Sequence, residues 1–216
     1  MALIRSAFQD ELDNISQSLI DLSAMVSQAM LKATDAILNC DLKLAEEIIA
    51  TDESIDLIQH EIDAKIIAVI ARQQPVASDL RALVTALRMG SDLERMGDLA
   101  HHVAKIARLR HPVCAVVPEL FATVTKMGSV AIAITDKTGV VLATRNIELA
   151  REVERDDDEM DELHRQLIGT LIEPGWKYGI ETAIDLTLLG RYYERYADHA
   201  VSISRRVYFL VTGEFA

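Results

Sequence analysis

Asp92-Leu-Glu94-Arg95-Met-Gly-Asp98-Leu-Ala100 and Tyr192-Tyr-Glu194-Arg195-Tyr-Ala-Asp198-His-Ala200 are two copies of one pattern, with Glu, Arg, Asp and Ala recurring at an offset of 100 residues. Earlier in each half, at an offset of 105, Ala45 aligns with Ala150, Glu47 with Glu152, Asp52 with Asp157 and Asp56 with Asp161. Four acids recurring at matched places in two halves mark a tandem duplication. The charge divides in the same way: residues 1–112 carry 17 acids and 11 bases, and so do residues 113–216.

Around these motifs the apolar residues follow a helical period. Leu12, Ile15, Leu19, Leu22, Val26, Ala29, Ala33 and Ala36 alternate at spacings of three and four, the seam of a helical bundle. Leu120, Val124, Met127, Ala131, Ile134 and Val141 repeat the signal after the midpoint. Nothing alternates with period two for long enough to suggest a strand. The four prolines, Pro75, Pro112, Pro118 and Pro174, fall between periodic segments and therefore punctuate helices rather than kink them. Asp41 and Asn146 stand where N-caps belong. The expected fold is all-α, with helices at 4–39, 42–73, 76–109, 118–143, 147–172 and 180–212. These form two tandem three-helix bundles, residues 1–111 and 112–216, joined near 110–117.

Composition narrows the function. Half of the 216 residues are apolar but only 5% are aromatic, so the core must be built from Leu, Ile, Val, Ala and Met. A net charge of −12 repels nucleic-acid backbones and anionic membranes, which excludes a general nucleic-acid role. The longest apolar runs, such as Ile66 to Ala71, are about six residues, whereas a membrane span needs roughly 20. No signal or transit peptide is visible, and with the last helix running almost to Ala216 no added domain is expected. Cys40 and Cys114 match no metal-thiolate spacing and read as free thiols in a reducing cytoplasm, with a single disulfide as the lesser alternative. There is no nucleophile elbow, no phosphate-binding glycine loop and no dinucleotide fingerprint, so no enzyme is expected.

Chemistry concentrates in the acids. Asp52/Asp56, Glu94/Asp98, Asp157/Asp161 and Glu194/Asp198 are each four residues apart, one turn along a single helix face. In a hairpin turning near residue 75, Asp52 lies opposite Asp98 and Asp56 opposite Glu94. In the second half, a turn at 176–179 sets Asp157 opposite Asp198 and Asp161 opposite Glu194. The acids continue apolar, helix-packing stripes, so four carboxylates converge on each seam. Oxygen-rich clusters suit hard or borderline cations such as magnesium, manganese, iron or zinc. The competing reading is solvated acids partnered by Arg95 and Arg195. His101, His102 and His164 follow the acids at ligand-like spacing, but each alone reads more simply as a surface histidine. Tyr192, Tyr193, Tyr196, Tyr208 and Phe209 cluster in the last helix and read as packing across a bundle or dimer interface.

Pro75-Val-Ala-Ser-Asp79-Leu-Arg81, the two Glu-Arg-x-x-Asp motifs and the closing Val207-Tyr-Phe-Leu-Val-Thr-Gly213 resemble, in order, the PhoU family of phosphate-signalling regulators, above all its actinobacterial, PhoY-like members. The resemblance covers nearly the whole chain. It implies two three-helix bundles, a cytoplasmic location and multinuclear metal clusters. Carried over residue by residue, Glu94, Asp98, Glu194 and Asp198 match the metal motifs of the third helices, and Asp52, Asp56, Asp157 and Asp161 those of the second. It further implies an adaptor between the ATPase subunit of the phosphate ABC transporter and a sensor histidine kinase. Such a protein acts as a homodimer, meets the membrane only through partners, and has no enzymatic activity. Met96, Tyr196, His102 and Ser202 depart from the family pattern, and of these His102 bears on metal preference. The alternative is a carboxylate-bridged di-metal oxidase of ferritin-like type, favoured by Asp98-x-x-His101 and Asp161-x-x-His164. Such sites, however, use Glu-x-x-His twice within one four-helix bundle.

Overall fold

Six helices account for most of residues 2–214, the part of the chain that the computed structural model describes: α1 (Ala2–Asn39), α2 (Leu42–Gln73), α3 (Ala77–Arg110), α4 (Phe121–Thr144), α5 (Ile147–Leu171) and α6 (Gly179–Thr212). A single 3-10 turn, Pro118–Leu120, precedes α4, and no strand occurs among the described residues. The expected boundaries hold to within a few residues, and the ends have identifiable causes. Asp41 caps α2 by accepting a hydrogen bond from the Leu44 amide at 3.0 Å. Asn146 caps α5 by accepting from the Glu148 and Leu149 amides at 3.0 and 3.1 Å. At the end of α2, Gln74 turns left-handed (φ 45°) immediately before Pro75, which disfavours helix in the residue it follows.

The seam of α1 is buried as its period requires. Ile15, Leu19, Leu22, Val26, Ala29, Ala33 and Ala36 lie in the core, with Leu12 packed at its edge. A second face of α1 is buried as well: Ser23, Ser27, Met30, Thr34 and Ile37. This face meets α4, antiparallel to it. Gly128 fits against Thr34, Gly139 lies opposite Ser23, and Ser27 donates to Asp136 at 2.6 Å. On the other side α3 runs against α6, where Arg110 bonds Asp185 and pairs with Glu181 at 2.6 Å. The two three-helix units therefore share one continuous core.

The α6 tyrosines complete the interface. Tyr193 and Tyr196 are fully buried. The Tyr193 hydroxyl lies 2.8 Å from Thr34 Oγ1, and Tyr196 donates to the Val26 carbonyl at 3.1 Å. Burial pushes both phenols well above their ordinary range, so they remain neutral. At the offset of 100 the first unit has Leu93 and Met96, which are buried too but carry no hydroxyl.

Two expectations need correction. Cys40 and Cys114 are not free thiols: they form a disulfide, with Cα atoms 5.1 Å apart across 74 residues of chain. That bond links the α1–α2 corner to the segment between the units. Separately, residues Pro118–Thr144 are long and apolar enough to cross a membrane by length and composition, which a search for unbroken apolar runs does not register. Half of its most apolar window is buried inside the molecule, and Val124, Met127, Ala131, Ile134 and Val141 pack into the core like those of any central bundle helix.

Candidate metal centre

In the first unit Asp52 and Asp56 project from α2, and Glu94 and Asp98 from α3, all half-buried. The two helices approach closely here because Gly97 has no side chain. A Cβ at that position would lie 2.9 Å from Ile55 Cγ2, between the two acids of α2. The Glu94 carboxyl is held above its ordinary pKa by burial first and then by Asp98, against the pull of Arg95, with Asp56 and Asp52 adding further repulsion. Asp56 acts on it more strongly than Asp52, as the hairpin register demands. Arg95, largely exposed, pairs with Asp98 at 2.6 Å and Glu94 at 3.5 Å, so one partner of the solvated reading is in place.

His101, one turn beyond Asp98, reaches across the seam and donates through Nδ1 to Asp52. Its Nε2 and the second oxygen of Asp52 are both buried without a partner. His102 turns instead toward α6, stacking on Tyr192 with ring centres 5.2 Å apart. Burial, together with the positive charge of Lys105, depresses its pKa and favours the neutral ring.

The second unit repeats the arrangement with different exposure. Asp157 and Glu194 are half-buried, whereas Asp161 and Asp198 are exposed. Burial, then repulsion from Asp198, Asp161, Glu194 and Asp158, pushes the Asp157 carboxyl up to about 7. Glu194 is raised by burial and by Asp198, against Arg191 and His164. The cation that pairs with Glu194 is Arg191, three residues before it, rather than the expected Arg195. Asp157 Oδ1 is buried and unpartnered, like Asp52 Oδ1. Gly190 makes room first for Leu167, whose Cδ2 a Cβ there would overlap, and then for His164, whose Cδ2 would lie 3.1 Å from it. Gln59 occupies the corresponding place beside Gly90. Each seam therefore includes one histidine, but at opposite ends: His101 by Asp52 and Asp98, His164 by Asp161 and Glu194.

As the side chains stand, no three His, Cys, Asp or Glu among the described residues are drawn together tightly enough to share one ion. What the two seams do offer is a carboxylate-rich donor set with unsatisfied buried atoms and pKa values raised by burial and then by mutual repulsion. Both features are relieved by a cation, and the oxygen-rich donors with an adjacent imidazole fit a hard or borderline one. Periodicity and repeat were enough to place these eight acids on α2, α3, α5 and α6. Arg191 was legible only as a base three residues from Glu194, a signal that the more regular Arg95/Arg195 pair obscured.

The family model for the PhoU domain matches residues 19–107 and again residues 124–207. The chain belongs to the PhoU family. Each matched PhoU stretch contains one complete quartet of acids. Among relatives, the Mycobacterium tuberculosis phosphate-specific transport system accessory protein PhoU homolog 2 is 42% identical over 212 residues, 98% of this chain and 100% of that protein. The Rhizobium meliloti PhoU homolog is 30% identical over 98% of this chain and 90% of its own. The crystal structure of PhoU from Pseudomonas aeruginosa superposes with a TM-score of 0.86 at 28% identity, covering 96% of this chain and all of that one. The phosphate transport system regulatory protein PhoU of Streptococcus pneumoniae gives 0.87 at 26%, covering 97% and 99%.

Proposed function

We propose that this PhoU-family chain is an accessory regulator of phosphate transport that binds metal at its two acidic seams. In this reading it works in the cytoplasm as an adaptor, contacting the ATPase subunit of the phosphate ABC transporter and a sensor histidine kinase, and pairs with a second copy of itself. The observation that carries the reading is end-to-end identity of 42% with a protein named as an accessory of the phosphate-specific transport system. Asp52, Asp56, Glu94 and Asp98 would hold metal in the first unit, and Asp157, Asp161, Glu194 and Asp198 in the second. A bound iron, manganese, magnesium or zinc ion supplies the positive charge that these carboxylates lack and ties the second helix of each unit to the third. The protein's role is to bind and position, with no chemical turnover.

Docking is supported by apolar side chains left in water at a spacing of four: Leu80 and Val84 on α3, and Ile180, Ile184 and Leu188 on α6. Such stripes on a soluble helix face are typical of contact surfaces. Deleting the gene should derepress phosphate-starvation genes in high phosphate, and an unchanged response removes the adaptor role. Metal analysis of the purified chain against Asp98→Ala and Asp198→Ala tests the seams separately; equal metal content in all three removes the metal role.

A further inference from the structure

The Cys40–Cys114 pair lies outside both acidic seams. Cys40 sits at the corner between α1 and α2 in a left-handed conformation (φ 56°), half-buried, while Cys114 is exposed. Cys114 also falls in the stretch between the two PhoU-domain matches, so the bond joins the first matched stretch, which contains Cys40, to the segment that connects the two. That segment begins at Arg110, which holds Asp185 and Glu181 of α6. It continues through His111, whose Nδ1 donates to the Cys40 carbonyl at 3.3 Å, and ends with Ala115, Val116 and Val117 buried in the core. Between two anchored ends, residues 111–114 are exposed and held to the α1–α2 corner by this contact and the disulfide.

We propose that Cys40 and Cys114 are a reversible oxidation site, taking a low-molecular-weight disulfide as co-substrate and locking the inter-unit segment to the α1–α2 corner when oxidised. The exposed Cys114 thiolate attacks one sulfur of the small disulfide, forming a mixed disulfide and releasing one small thiolate. The Cys40 thiolate then attacks the Cys114 sulfur, closing the internal bond and releasing the second small thiolate. Two protein thiols are oxidised, one small disulfide is reduced to two thiols, and the two protein protons end on them. Cys114 is exposed and is paired with the half-buried Cys40, so a small disulfide or thiol can meet the pair at Cys114 while Cys40 serves as the resolving partner.

The test uses the full-length chain equilibrated with glutathione disulfide or with dithiothreitol, alkylated and read by mass spectrometry, with hydrogen exchange measured on both forms. Oxidation should yield a Cys40–Cys114 peptide pair lighter by two hydrogens, and dithiothreitol should return two alkylated thiols from the folded chain. Reduction should speed amide exchange across 111–114 by roughly tenfold and leave the middle of α3 and α6 unchanged. Cys114→Ser and Cys40→Ser should each abolish the pair and fix exchange at the fast rate; either variant alone suffices if the other misfolds. Three outcomes overturn the proposal: both thiols staying alkylatable in glutathione disulfide, a bond that dithiothreitol cannot open in the folded chain, or exchange at 111–114 that does not follow the redox state.

Discussion

His101 donates through Nδ1 to Asp52 from the opposite helix, leaving the other ring nitrogen buried with nothing to bond. A carboxylate fixing one imidazole nitrogen while the other stays unsatisfied is the usual posture of a histidine oriented for a cation. The first acidic seam thus has a nitrogen at the Asp52 end that the second lacks, since the residue 100 positions later is Val201.

His101→Ala should therefore weaken metal binding in the first unit by about 10- to 100-fold and leave the second untouched. Titration calorimetry on His101→Ala in an Asp198→Ala background, which isolates the first seam, reads this directly. Undiminished affinity there would show that His101 serves packing alone.

The pH dependence of the metal-free protein follows from Asp157. Its native pKa is about 7 against 3.8 for the unconstrained side chain, so between those values the folded state binds the more protons. Stability must then fall as pH rises from about 4 to about 7, and level off above. Thermal melts with a chelator present should show this fall, and Asp157→Asn should make it shallower, the raised Glu94 and Glu194 carboxyls supplying the rest. An identical slope in the variant would refute the assignment.

Tyr193 separates the cost of a hydroxyl from that of a ring. Tyr193→Phe removes only the bond to Thr34, which still donates to the Met30 carbonyl at 2.8 Å, and should cost about 1 kcal/mol. Tyr193→Ala empties a fully buried site between the units and should cost about 3–5 kcal/mol. Urea denaturation distinguishes the two, and near-equal losses would mean that the interface does not depend on the ring.

Two helical glycines should respond in opposite directions. Gly97→Ala drives a methyl group into Ile55 at the first seam and should destabilise by about 1–3 kcal/mol. Gly169→Ala, in α5 with nothing within 4 Å of the new Cβ, should stabilise by up to about 1 kcal/mol. Denaturation midpoints for the pair check the close approach of α2 and α3.

The sequence carried those features that depend on local period. The α1 seam, the Asp41 and Asn146 caps and the opposition of Asp56 to Glu94 all follow from spacing along a helix or across a short hairpin. The contact of α1 with α4 does not, because Ser23, Ser27 and Thr34 read as solvated residues until a second unit covers them. The Cys40–Cys114 bond spans 74 residues and leaves no trace in spacing. Arg191 displaced Arg195 because a base three residues before a glutamate shares its helix face, a local fact that repeat symmetry concealed. The histidines were legible as candidates, but their inequivalence depends on which end of each seam they occupy.

Thr34 shows that the two halves have ceased to be interchangeable. It takes the space that Gly128 leaves and bonds the hydroxyl of Tyr193, whereas the first half has Leu93 at the matching position. A chain assembled from two first halves would set Thr34 against an aliphatic side chain and leave the Tyr193 contact unmade. Duplication supplied two similar units, but at this contact each is now shaped to the other, so exchanging one copy for a duplicate of its neighbour loses a bond that the native pair makes.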